Sequence, residues 1–135
     1  MTTLTLGNAE RLAKAAIAAA RSKSLNPLGV SVIDASGELK LMLREDGAAS
    51  ATAEISLSKA RAALAFGCTS RQITDALSAN ALTAASVIAS FQGRIALIAG
   101  GVLIHDPAGT VIGAIGAAGD APDNDEAAVL AAIES

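Results

Sequence analysis

Apolar and polar positions alternate along this chain with two distinct periods. Between Asn8 and Ser24, Leu12, Ala15, Ala16, Ile17, Ala19 and Ala20 recur at helical spacing, which predicts an amphipathic helix. Asn8 is its expected N-cap, Arg21 and Lys23 occupy the last turn, and Asn26-Pro27 ends it. The period then shortens. Leu28–Ile33 reads as a strand, and Glu38–Leu43 places Leu39, Leu41 and Leu43 on one face. Asp34-Ala35-Ser36-Gly37 between them supplies turn chemistry, so the two form a hairpin. Ala51–Phe66 returns to helical spacing and stops at Gly67, a natural C′ residue. Ser70–Leu82 is a second helix with Ser70 as cap, whereas Asn80–Ser90 shows neither period cleanly. Strands are expected at Arg94–Ala99, Val102–His105 and Thr110–Gly116, the last two joined by the turn Asp106-Pro107-Ala108-Gly109. A final helix starts within Asp120–Asn124 and runs to Ile133. Hairpins in place of βαβ crossovers predict a mainly antiparallel sheet and the α+β class, in the order αββααβββα.

Composition changes what that fold is expected to do. The 135 residues are 52% hydrophobic and 1% aromatic, with two Phe and no Trp or Tyr, and 33 of them are alanine. Mean hydropathy is +0.49. One domain spanning 1–135 is expected, and a surface this apolar predicts cover by further copies of the chain. Net charge is −3 and the isoelectric point is near 5.0, so there is no basic footprint for nucleic acid, and two Phe make no stacking platform. The longest apolar run, Ile95–Ile104, is ten residues, about half of what crosses a membrane. The start, MTTLTLGNAE, lacks the basic and apolar regions of a secretory signal. With the single cysteine Cys68, this points to a cytoplasmic protein.

Few residues carry chemistry. Gly113, Gly116 and Gly119 miss the phosphate-cradle spacing and precede an acidic helix start, so tight strand packing is their expected role. His105 is the sole imidazole and hence the obvious iron ligand or general base; beside a turn it also reads as an inert surface residue. Cys68, between two helices, is either an activated thiol or a packed one. Arg44 and Asp46 follow the first hairpin, and Lys59 and Arg61 share the next helix. Lys59 stands among Ile55, Leu57, Ala60 and Ala63, where desolvation would suit it to act as a base or amine; the alternative is a solvated helix face.

Three stretches together carry a family resemblance: Val32-Ile33-Asp34-Ala35-Ser36-Gly37-Glu38-Leu39, Arg44-Glu45-Asp46-Gly47-Ala48, and Lys59-Ala60-Arg61. Ala99-Gly100-Gly101-Val102, Val111–Gly116, Gly119 and Asp125-Glu126 continue it. The sequence resembles the GlcG/HbpS family, which includes haem-binding proteins and the C-terminal domain of PduO, over roughly residues 8 to 133. The resemblance implies a profilin-like fold, a central antiparallel sheet of about five strands flanked by helices. It further implies homo-oligomers from dimer to octamer, and haem as a ligand.

Three functional expectations follow. The first is a small-ligand-binding protein of the haem-binding type, its pocket at a subunit boundary near Arg44, Asp46, Lys59, Gly100 and Gly101, with Arg44 or Lys59 meeting carboxylates and His105 the axial ligand of any iron. The second is a cofactor-free enzyme on a small oxygenated acid, with Lys59 as base or amine, Arg44 binding carboxylate, and Asp46 or Glu126 handling protons. The third is an assembly or accessory subunit without chemistry of its own.

Overall fold

A computed structural model describes residues 3–135; Met1 and Thr2 of the MTTLTLGNAE stretch lie outside the described residues. Helix α1 is Leu6–Ser22. It begins before Asn8 because Thr5 is the cap: its side chain accepts the Asn8 N–H at 3.1 Å. Strands β1 (Gly29–Asp34) and β2 (Leu39–Arg44) form the expected hairpin. Asp34 Oδ1 closes the turn by accepting the Ser36 and Glu38 N–H groups at 2.9 and 3.1 Å. Helix α2 spans Ala51–Phe66 and ends at Gly67, which adopts the left-handed conformation. Helix α3 (Ser70–Leu77) is capped by Thr69 through a reciprocal capping box with Gln72. Ser70, the expected cap, is instead buried and accepts the Gly101 N–H at 2.8 Å. The indeterminate stretch is helix α4 (Ala81–Ser90), started by Asn80. Strands β3 (Gly101–His105) and β4 (Val111–Ala118) and helix α5 (Pro122–Glu134) complete the chain.

The sheet is antiparallel with order β2-β1-β4-β3. It has four strands rather than about five, because residues 94–99 do not join it. Their backbone is bonded to helices: Ala96 N–H donates to Ser58 O at 3.2 Å, and Leu97 O accepts from the Thr74 hydroxyl. Ile95 packs with Ala62 and Ile73, so an apolar run that resembles a strand serves as filling beneath α2 and α3.

The α+β architecture is a sheet between two helical layers. On one face Val30, Val32, Val102, Ile104, Ile115 and Ala117 meet α1 and α5 through Ala9, Ala13, Ala16, Ala128, Val129 and Ala132. The alanines at helical spacing in α1 let that helix lie close to its neighbours, so much of the alanine is interior. The other face carries α2, and here the sheet is cut away to receive it. A Cβ on Gly29, Gly116 or Gly101 would lie 2.6, 2.1 or 2.2 Å from Thr52, Ser56 or Lys59 respectively. Three strands therefore offer a backbone groove along which α2 lies. Ser31 and Ser56, both fully buried, are hydrogen-bonded to each other at 2.7 Å within it.

Candidate functional site

Close seating of α2 fixes the fate of Lys59. Its side chain is 1% exposed, and its ammonium donates to Ala117 O at 2.9 Å and to Asp125 Oδ2 at 3.0 Å. Gly100 and Gly101 close over it: a Cβ on Gly100, whose φ is +130°, would come within 2.8 Å of Lys59 Nζ. The other oxygen of Asp125 accepts the Asp120 N–H at 2.9 Å, which ties the start of α5 to the ion pair. Burial raises the Asp125 carboxyl above its ordinary range, against the opposing pull of the Asp120 N–H and the Lys59 charge. Every buried polar side-chain atom among the described residues has a partner. Lys59 is thus desolvated as its neighbours suggest, and its ammonium is held by two buried acceptors.

Of the residues grouped around Lys59 from the sequence, Gly100 and Gly101 join it, and Arg44, Asp46 and Glu126 face elsewhere. Arg44 ends β2 and donates to Ala48 O at 2.8 Å across its own loop, and Asp46 is exposed in that loop. Glu126 follows Asp125 on α5 but faces Arg71, which binds it at 2.8 Å and also binds Asp123. Those two carboxylates raise the pKa of the Arg71 guanidinium, Asp123 most strongly. Asp120, held by Asn124 and by the Asn26 and Ala121 N–H groups, titrates below the ordinary carboxylate range. Asp125 is the partner that the reading of Lys59 missed. Its only sequence signal was a place in the acidic first turn of the last helix, which speaks for the helix dipole and not for a lysine 66 residues away.

His105 is exposed at the end of β3, just past a break in register with β4. Two concavities share His105 in their linings. One, of about 400 Å³, runs between α1 and the 106–107 turn and includes Leu4, Arg11, Leu12 and Ile133. The other, of about 360 Å³, is walled by Val102, Leu103, Leu130 and Ile133, with Cys68 and Thr69 also in its lining. Leu130 and Ile133 are each more than a third exposed there. This second groove combines apolar walls with the chain's sole imidazole and sole thiol, two side-chain types able to ligate a transition metal.

Residues 4–134 match the family described as haem degrading protein HbpS-like. An uncharacterized 15.0 kDa protein from the dhaT-dhaS intergenic region of Citrobacter freundii is 33% identical over 134 residues, covering 98% of this chain and 91% of that protein. Among solved structures, a PduOC–haem complex superposes with a TM-score of 0.87 at 25% identity, covering 98% of this chain and 94% of its own. Protein ORFY of Klebsiella pneumoniae superposes with a TM-score of 0.89 at 28% identity, covering 99% and 90%.

Proposed function

The chain belongs to the HbpS-like family, and from that premise we propose that it is a ligand-binding protein that takes haem in the groove beside His105. One observation carries the reading: the sole imidazole of the sequence stands at the lip of a groove walled by Val102, Leu103, Leu130 and Ile133. Likeness to a PduOC protein solved as a haem complex supports it. Bound haem would supply an iron able to change oxidation state and bind small molecules. The chain's own part would be to hold the iron through His105, to exclude water with the four aliphatic side chains, and to present Arg11, in the adjoining concavity, to the propionates.

A groove of about 360 Å³ is at the low end of the roughly 300–1,000 Å³ of small-molecule sites. One subunit therefore covers only part of a haem, and a second copy against the exposed Leu130 and Ile133 covers the rest. This keeps the ligand at a subunit boundary in a homo-oligomer, but places it at the β3 edge and not at Lys59. The lone thiol of Cys68 suits a reducing, cytoplasmic setting. The geometry does not favour Lys59 as a base or amine, because its ammonium is enclosed and bonded to Ala117 O and Asp125.

Haem titration followed at the Soret band tests the reading directly. The expected result is a saturable, shifted Soret band that His105→Ala abolishes or displaces and Cys68→Ser leaves in place. A wild-type protein that gives no saturable shift overturns haem binding. A His105→Ala spectrum identical to wild type overturns the groove.

A further inference from the structure

We propose that the cleft between the β1–β2 turn, α2 and residues 91–95 is a second ligand site, built for a small monocarboxylate with an apolar body. The cleft encloses about 280 Å³, and Arg61 and Arg94 both line it, above apolar walls of Ile33, Leu64, Phe91 and Ile95.

The arginines make the first argument. The chain has six. Arg11, Arg21, Arg44 and Arg71 each have a side-chain hydrogen bond or ion pair. Arg61 and Arg94 have none among the described residues, and these two come from different parts of the chain to line the same cleft. A guanidinium recognises carboxylate through paired N–H donors, and partly desolvated walls strengthen that bond.

The aromatics make the second. The sequence contains two, Phe66 and Phe91. Phe91 lines the cleft and Phe66 packs against it with ring centroids 6.1 Å apart, so the aromatic content of the chain is concentrated at this place. Backbone conformation makes the third. Gln92, at the lip, has φ +55°, one of two non-glycine residues in the left-handed region among the described residues. Its turn is closed by Gly93 N–H to Ile88 O and Arg94 N–H to Phe91 O, both 3.0 Å, which sets Phe91 and Arg94 beside each other. The conformation ends helix α4 just past its C-cap and turns the chain at the cleft.

Glu38 narrows the ligand class. It stands exposed at the rim of the same cleft and makes no ion pair with either arginine. A second carboxylate reaching the mouth would meet its charge, so the site selects one acid group directed at the arginines and hydrocarbon against Phe91 and Leu64. Inorganic phosphate satisfies the arginines but leaves the apolar walls uncovered.

Isothermal titration at low ionic strength tests this with benzoate, cyclohexanecarboxylate and pentanoate, alongside inorganic phosphate and benzamide. The expected result is saturable binding of at least one of the three acids, about tenfold or more tighter than either phosphate or benzamide. Arg61→Gln and Arg94→Gln each weaken it about tenfold with unchanged circular dichroism and melting temperature, while Arg94→Lys retains part of the affinity. His105→Ala leaves it unchanged, which separates this cleft from the haem groove. The proposal is overturned if none of the acids binds saturably, if phosphate binds as tightly as they do, or if neither glutamine variant weakens binding.

Discussion

Lys59 and Arg61 stand two residues apart on helix α2, and their surroundings are opposite. Lys59 points into the glycine-lined groove of the sheet, where Ala117 O and Asp125 accept its hydrogen bonds and its side chain is 1% exposed. Arg61 points to the cleft beneath the β1–β2 turn and has no protein partner among the described residues. A cation enclosed at an ion pair and a buried carbonyl stabilises or costs, according to geometry, but is out of a ligand's reach. A cation held at a concave, partly apolar surface with free donors is what a ligand needs. Proximity in sequence, and even a shared helix, therefore says little about which cation is structural and which is available.

The contrast can be broken most directly at the lysine. Lys59→Met leaves Ala117 O and the Asp125 carboxylate buried without their partner, and the expected loss is about 3–5 kcal/mol in denaturant unfolding. Adding Asp125→Asn, which removes the charge and keeps an acceptor for the Asp120 N–H, should recover a substantial part; no recovery would mean that packing and not the ion pair holds the site. Gly101→Ala comes next. Its Cβ would lie 2.2 Å from Lys59 O, so α2 must lift from the sheet at an expected cost of about 1–3 kcal/mol.

Acid titration sharpens the picture at the start of α5, where two carboxyls shift in opposite directions. Asp120 titrates low, so it contributes stability that is fully present above the ordinary carboxylate range and lost as pH falls through its lowered value. The stability gap between wild type and Asp120→Asn should therefore close on acidification. Asp125 titrates high, so between the ordinary and raised values the folded state binds the extra proton, and its contribution improves as pH falls across that interval. The smallest expected effect is at the other cation: Arg61→Ala should change stability by no more than about 0.5 kcal/mol. A loss of several times that size would show that Arg61 is a structural residue like its neighbour.

Local chemistry was legible where it was complete in a few residues. The turns at Asp34 and Asp106 follow from side-chain oxygens that accept N–H groups two and four residues on, as Asp106 does from Ala108 and Thr110 at 2.9 Å. Gly67 ended its helix for the same kind of reason. Residues 94–99 misled because alternation and an apolar run suit a strand equally with a segment that fills a gap between helices. Only the acceptors, Ser58 O among them, decide between the two. The resemblance singled out Lys59, Gly100 and Gly101, which do converge, and with them Arg44 and Asp46, which stay at the far loop.

By itself the sequence determined the elements with complete local signals, the α+β class and the uniqueness of His105, Cys68 and two Phe as chemical resources. It also raised desolvation at Lys59, because apolar neighbours along a helix are visible in one dimension. Tertiary structure decided that Asp125 meets this lysine, that Arg61 and Arg94 share a cleft with Phe91, and that His105 borders an apolar groove. The reason is physical. What a charged side chain does depends on the dielectric and the donors and acceptors within a few ångströms of it, and here those atoms come from segments that lie far apart along the chain.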